Sequence, residues 1–175
     1  MINNLNVINI NGNNYVLKNA DFNDKSEIMK LYGDAIGTEG CTWSEEYPNE
    51  DTFNKDVGAK NLFCLMNEFH EILAAISIDC DETVDELTCW NKLAGKMGEL
   101  ARMVVRSDYQ NKGIAPALIN AVVGVMKQRG YVTVHYLVSC QHTKALAAYA
   151  KLDFIRVGEC DLFSNKWLCY EKIIE

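Results

Sequence analysis

The sequence lacks an excess of positive charge and a long apolar run, and each absence excludes a class of partner. Lys and Arg number 17 against 24 Asp and Glu, which gives a net charge of −7. This balance argues against nucleic acid or an anionic membrane surface as a partner. No stretch reaches the roughly 18 apolar residues of a membrane-spanning helix, and the first residues contain no basic leader segment. The sequence therefore predicts a cytoplasmic protein with no membrane partner and no nucleic-acid partner.

Spacings typical of metal sites are also missing. The sequence has seven cysteines, an odd number, and none of them forms a CxxC pair. The three histidines lie far apart in the sequence, with no HxxxH pattern. Cysteines of this kind indicate reduced thiols rather than a disulfide framework or a zinc site. We therefore expect no metal.

Hydrophobic periodicity divides the chain into alternating strands and helices. The length of 175 residues fits one domain over residues 1–175, with no repeat and no linker. Alternation and apolar runs predict strands at 7–10, 15–19, 62–66, 72–80, 99–105, 132–139, 155–160 and 167–173. Helical spacing predicts helices at 24–36, 50–59, 113–129 and 142–152. This order predicts a mixed α/β sheet with helices on both faces.

One stretch, Glu99–Gly130, carries the clearest chemical signal. It predicts a strand, a polar turn and then an amphipathic helix. Gly113 at the start of the helix allows close approach of a ligand to the backbone. Successive N–H groups at a helix start form an anion site, to which Lys112 adds a positive charge. The turn is therefore interpreted as a cradle for a pyrophosphate.

Two segments resemble the GNAT superfamily of N-acetyltransferases. Gln110–Ala115, with the sequence QNKGIA, resembles the acyl-CoA motif Gln/Arg-x-x-Gly-x-Gly/Ala. Ala145–Phe154 resembles the family's A-x-x-x-Y-x-K-L-G-F segment, with Asp153 where Gly is usual. The resemblance implies a GNAT-like mixed sheet of six or seven strands, with acetyl-CoA as cosubstrate and an amine as acceptor.

The resemblance also implies two catalytic residues. Glu99 lies eleven positions before Gln110, where some family members carry a catalytic glutamate, and is the candidate general base. The alternatives for Glu99 are a solvent-exposed side chain or a pairing with Arg102 or with a residue of a neighbouring strand. Tyr149 is the candidate acid that protonates the departing thiolate. Its alternative role is to pack its ring against the sheet.

Further residues are implied in binding acetyl-CoA. The resemblance implies that the pantetheine arm of acetyl-CoA lies between two splayed strands. There it would form hydrogen bonds with backbone groups of Met103, Val104 and Val105. Gln110, Asn111, Lys112, Gly113, Ile114 and Ala115 hold the phosphates. His142 stands where many relatives have Asn, and the alternative is a helix cap or a solvated side chain. Lys144 meets the CoA phosphates or is simply a solvated charge.

The acceptor site is the least patterned part of the chain. In proteins with this fold the helices after the first strands cover the acceptor end, so Trp43 and Tyr47 are candidate substrate contacts. Trp90, in the long connection at 81–98, is a third candidate. The alternative for Trp43 and Tyr47 is an ordinary surface loop with a half-buried Trp.

These inferences favour an N-acetyltransferase that acts directly on a primary amine of a small molecule or peptide. Two alternatives remain open. One is a GNAT-shaped module that binds CoA without turnover and acts as a regulatory or interaction partner. The other is an enzyme that acetylates aminoacyl-tRNA, which the acidic balance disfavours. A homodimer through the C-terminal hairpin is also left open.

Overall fold

The protein folds around one open sheet of eight strands. A computed structural model describes residues 6–174. The strands lie in the order β1-β2-β3-β4-β5-β6-β8-β7. Their bounds are β1 Asn6–Ile10, β2 Asn13–Asn19, β3 Leu62–Met66, β4 Ile72–Asp79, β5 Lys96–Val105, β6 Tyr131–Ser139, β7 Ile155–Leu162 and β8 Asn165–Ile173. The expected mixed α/β architecture is confirmed, and the sheet has one strand more than the upper end of the expected six or seven.

Helices cover both faces of the sheet, as expected. They are α1 Lys25–Ala35, α2 Glu50–Gly58, α3 Glu82–Asp85, α4 Ile114–Gln128 and α5 Thr143–Tyr149. Buried side chains of α4 form the main core with one face of the sheet, and α1 and α2 form a second core on the opposite face. None of the helices within residues 6–174 combines the length and apolar character needed to cross a membrane.

The only parallel contact among the described strands joins β5 and β6 through α4. This pairing runs from Lys96 opposite Tyr131 to Glu99 opposite His135, and it includes no later residue of β5. Beyond that point β5 pairs only with β4, while β6 continues with β8. The two strands therefore form a fork that opens after Glu99.

A β-bulge in β5 lies just beyond the fork. Ala75 pairs with Val104 and Ser77 with Ala101, so two residues of β5 oppose the single residue between them on β4. Arg102 adopts the left-handed conformation there, with φ of 52°. A bulge bends its strand and changes the direction of side chains. Here it turns Arg102 toward the face that carries α2.

The connection between β4 and β5 is fastened to the sheet rather than free. It contains α3, and the indole N–H of Trp90 donates to the backbone oxygen of Val84 at 2.8 Å. The Trp90 ring stacks on His135 with centroids 4.6 Å apart. Asn91 donates its backbone N–H to the carboxylate of Glu171 on β8 at 3.1 Å. The connection thus covers the region of β6 next to Glu99.

Candidate active site

A cavity of about 780 Å³ occupies the fork between β5 and β6. Its walls include residues 99–107 from β5 and the turn that follows, and residues 136–139 from β6. Side chains from α1, the loop at 38–47 and the start of α5 complete it. The strands are therefore not closed against each other, and the opening is large enough to admit a ligand chain between them.

Glu99 is a buried carboxylate without a partner. It is 8% exposed and lines the cavity. Within residues 6–174 no hydrogen bond or ion pair reaches its side chain, so it neither faces solvent nor pairs with Arg102. Burial, and then the negative charge of Asp79, raise the pKa of Glu99 to about 8. A group of this kind can take a proton near neutral pH.

Arg102 is held by two carboxylates and a phenol. Its guanidinium donates to both Asp56 oxygens at 2.8 and 2.9 Å and to Asp79 at 2.6 Å. It also donates to the hydroxyl of Tyr47 at 3.0 Å. The hydrogen bond and charge of Arg102 outweigh burial and lower the pKa of Asp79. The network ties α2, β4, β5 and the 38–47 loop around Glu99.

The turn after β5 keeps its backbone donors exposed. Gly113 precedes α4 with φ of 79°, and within the described chain no side chain caps this helix and no acidic residue lies in its first turn. The side chain of Gln110 turns back to the oxygen of Val105 at 3.1 Å. Asn11 donates to the oxygen of Lys112 at 3.1 Å and braces the turn from outside. The N–H groups at the helix start remain available for an anion.

The backbone at the end of β5 alternates between β4 and the cavity. The N–H of Arg106 donates to Leu73 on β4 at 2.8 Å, and Val104 pairs with Ala75 on the same strand. Because backbone groups alternate along a strand, those of Met103 and Val105 face the fork. Val104 lines the cavity, but its backbone pairs with β4, and the expected contact of a ligand with that backbone stays a prediction. Since the Val105 oxygen already accepts from the Gln110 side chain, Met103 and the N–H of Val105 are the groups in position to bond an added chain.

Tyr149 and His142 meet the cavity from α5. Burial raises the pKa of Tyr149 to about 12, and its ring lies edge-on to Tyr136 with centroids 5.2 Å apart. The Nδ1 atom of His142 accepts from the N–H of Ala145 at 3.3 Å and caps α5. With Nδ1 occupied in this way, Nε2 carries the hydrogen of the neutral ring and remains a donor. Burial also lowers the pKa of His142, which favours that neutral form.

The structure brings most of the expected residues to the cavity, but not all of them. Trp43, Tyr47, Gln110 and Lys144 line it. Asn111, Lys112, Gly113, Ile114 and Ala115 lie just outside, in the turn and first helical residues that continue from Gln110. Trp90 is 4% exposed, packs on His135 and does not line the cavity, so the structure does not bring it together with the other expected substrate contacts.

The loop that carries Trp43 and Tyr47 is fitted closely to α5. Gly40 has φ of 78°, and a Cβ atom there would lie 2.5 Å from the Cα of His142. Only glycine fits such an approach in this backbone conformation. Further along, the Trp43 ring packs edge-on against Tyr32 with centroids 5.4 Å apart. The loop therefore closes one side of the cavity.

Sequence reasoning missed two acidic residues near Glu99. Asp79 pairs directly with Glu99 across β4 and β5, and Asp81 follows the end of β4. The sequence predicted Arg102 only as a partner for Glu99. In the structure Arg102 pairs with Asp56 and Asp79 instead. The available signal was the group of acidic residues at positions 79–82, which follows a mostly apolar run and marks the end of β4.

Comparison with known proteins assigns the family. Residues 28–154 match the acetyltransferase (GNAT) family. A search of curated proteins finds no match to the sequence. Among solved structures, a GNAT-family acetyltransferase from Streptococcus agalactiae 2603 superposes with a TM-score of 0.78 at 16% identity, covering 97% of this chain and 99% of that one.

Two further structures share this fold. The ribosomal-protein-S18-alanine N-acetyltransferase from Escherichia coli has a TM-score of 0.68 at 17% identity, covering 91% of this chain and 94% of that one. A chain of the NatC complex bound to Gag peptide and CoA has a TM-score of 0.72 at 15% identity, covering 92% and 99%. With the family match over most of the sequence and the forked sheet, the chain belongs to the GNAT family of acetyltransferases.

Proposed function

We propose that this protein transfers an acetyl group from acetyl-CoA directly to a primary amine of a small molecule or peptide. The observation that carries the proposal is the fork after Glu99, because it brings a cavity, free backbone donors and an unpaired carboxylate together. The seven free cysteines are consistent with a reducing compartment such as the cytoplasm.

The residues after β5 fit the CoA moiety. The start of α4 has exposed N–H groups and no competing acidic side chain within the described chain, so it suits a pyrophosphate. The cavity-facing backbone of Met103 and Val105 suits the amide groups of a pantetheine arm, which would add to β5 as an extra strand does. When bound, acetyl-CoA supplies an acetyl group activated as a thioester.

Glu99 would act as the general base. A primary amine has a pKa near ~10 and must lose a proton before it can attack a carbonyl. A carboxylate with a pKa of about 8 is a better proton acceptor than an ordinary glutamate. Because the Glu99 side chain has no partner within residues 6–174, it is free to take this proton directly or through water.

Two other groups would act on the reacting thioester. The N–H groups that face the fork can stabilise the negative charge that develops on the carbonyl oxygen. The phenol of Tyr149 lines the same cavity and can donate to the departing sulfur. Since burial raises the pKa of Tyr149 to about 12, its proton stays on the phenol until a thiolate forms nearby.

The test is release of free thiol from acetyl-CoA across a panel of polyamines, aminoglycosides, amino acids and short peptides. The proposal predicts thiol release that depends on an added amine, with the acetylated amine as coproduct. CoA binding by calorimetry with no thiol release from any amine would contradict it and would support a non-catalytic CoA-binding module instead.

A further inference from the structure

We infer that the acceptor is an aliphatic amine that carries a second positive charge and no carboxylate, and that Asp81 binds the second ammonium group. The inference rests on the proposed function, because it concerns the acceptor of that reaction. It follows from three features of the cavity near Glu99. Arg102, the cation there, is already bound by protein groups. Carboxylates outnumber cations, and apolar side chains line the walls.

Arg102, the cation near Glu99, is bound by protein groups and is not available for the carboxylate of a substrate. The side chain of Arg102 is 3% exposed, and its donors are taken by Asp56, Asp79 and Tyr47. The other cations that line the cavity are Arg106 and Lys144, which follow the far ends of β5 and β6. An amino acid acceptor would therefore place its carboxylate next to Glu99 and Asp81 with no cation to receive it. Like charges that close together disfavour binding.

Carboxylates outnumber cations around Glu99. After burial, which contributes most, the charges of Asp79, Asp81 and Asp85 raise the pKa of Glu99, and the charge of Arg102 lowers it. Asp79 is paired with Arg102 and is therefore not free to bind a second cation. Asp81 is half-buried and lines the cavity. Within residues 6–174 its side chain accepts only from the backbone of Thr83, and no cation pairs with it.

The two unpaired carboxylates have different roles in this arrangement. Glu99 is more than nine-tenths buried and faces the cavity without a partner, which marks the position of the reacting nitrogen. Glu39 also lines the cavity and pairs with no cation among the described residues, but it lies beside the start of α5, where it accepts from the hydroxyl of Thr143 at 3.4 Å. Asp81 is the unpaired carboxylate of the cavity whose charge acts on Glu99. A charge-assisted hydrogen bond to a second ammonium would satisfy it, because ionised donors and acceptors form the stronger hydrogen bonds.

Apolar side chains of the same cavity suit a methylene chain. Leu31, Trp43 and Val84 line it together with Glu99 and Asp81. Apolar carbon against such side chains gains free energy from burial, and an aromatic face also attracts a cation. The cavity thus combines apolar side chains with two carboxyl groups that have no cation partner in the described chain, and this combination complements a diamine.

The experiment compares three amines with the same carbon chain in the thiol-release assay at fixed pH. Putrescine has a second ammonium at the end of its four-carbon chain, n-butylamine has a hydrogen in place of that ammonium, and γ-aminobutyrate has a carboxylate as its fourth carbon. We expect kcat/KM for putrescine to exceed that for n-butylamine by about tenfold, the effect of one charge-assisted hydrogen bond. γ-Aminobutyrate should react more slowly than both, and added salt should reduce the advantage of putrescine.

A pair of variants tests Asp81 directly. In Asp81→Asn the amide can still accept from Thr83 and cap α3, so the local fold is retained. This variant should bring the putrescine to n-butylamine ratio close to one. Glu68→Gln, an exposed position outside the cavity, removes the same charge from the protein and should leave the ratio unchanged.

The outcomes separate this inference from the proposed function. Acetyl transfer in which n-butylamine or γ-aminobutyrate matches putrescine overturns the diamine assignment and leaves acetyl transfer intact. An unchanged ratio in Asp81→Asn overturns the role of Asp81. Thiol release with none of the three amines overturns the inference as well, and the wider acceptor panel then decides the proposed function separately.

Discussion

Glu99 on β5 and His135 on β6 form the last paired position of two strands that separate immediately afterwards. His135 is fully buried, stacks on Trp90 and has its Nε2 atom 3.0 Å from an oxygen of Asp85. Burial lowers its pKa to about 4, so the ring is neutral beside Glu99 at neutral pH. Glu99 therefore lies between an ionised Asp79 on one strand and an uncharged ring on the other, and neither neighbour provides a positive charge to stabilise its anion.

The charge on Asp79 should set the pH at which the enzyme becomes active. The Asp79 anion disfavours the anion of its strand partner Glu99, so Asp79→Asn should lower the pKa of Glu99. The acidic limb of the profile of kcat/KM against pH should move to lower pH, because Glu99 then loses its proton earlier. Circular dichroism would confirm that the variant is folded. A limb that stays in place or moves to higher pH would contradict the coupling.

The ion pairs of Arg102 should matter for stability far more than those at the surface. Arg102→Met leaves Asp56 and Asp79 without a cation in a buried region, which should destabilise the fold by about 3–5 kcal/mol. Arg156 pairs with Glu159 at an exposed site, and Arg156→Met should cost about 1 kcal/mol or less. Urea unfolding of both variants measures the difference. Equal losses of unfolding free energy in the two variants would show that the buried network of Arg102 does not stabilise the fold more than a surface ion pair does.

The turn at Gly113 should discriminate charge in CoA binding. Gly113→Glu and Gly113→Gln impose the same side-chain size on a left-handed backbone position, at a cost of order 1–3 kcal/mol in each case. Only the glutamate brings a negative charge to the proposed phosphate site. Calorimetry should therefore show CoA binding lost in Gly113→Glu and largely kept in Gly113→Gln. Equal affinity in the two folded variants would refute the cradle.

Tyr149 should affect turnover more than binding. Tyr149→Phe keeps the edge-on ring contact with Tyr136 and removes only the hydroxyl. If that hydroxyl donates to the departing sulfur, kcat should fall by about 10²-fold, the scale of general acid catalysis. The affinity for CoA from calorimetry should change little. Full activity in this variant would leave Tyr149 with a packing role alone.

Local sequence patterns predicted the helices and strands. Features that depend on packing between distant parts of the chain could not be predicted from such patterns. The helix at Ile114–Gln128 and the turn before it depend on neighbours in sequence, so periodicity and Gly113 were sufficient. The bulge at Arg102 depends on the register of β5 against β4, which no local pattern carries. Its salt bridge to Asp56 joins residues 46 positions apart. Only the folded chain shows that Arg102 is unavailable to Glu99.

Burial distinguishes the roles of two tryptophans that the sequence could not tell apart. Trp90 and Trp43 both lie in loops, and sequence alone treated them alike. Trp90 packs under α3 and bonds to Val84, whereas Trp43 remains half-buried at the cavity. The C-terminal strands form the expected hairpin of β7 and β8, and a homodimer through it stays a prediction.

The most direct test of the account is the pH profile of amine-dependent thiol release by the protein and by Glu99→Gln. With Glu99 as the base, kcat/KM of the unaltered protein should rise as pH increases through about 8, where Glu99 loses its proton. Glu99→Gln should lower the rate by about 10²–10⁴-fold at neutral pH and should lose the step in the profile assigned to Glu99. A variant with the same rate and the same profile as the unaltered protein would contradict the account.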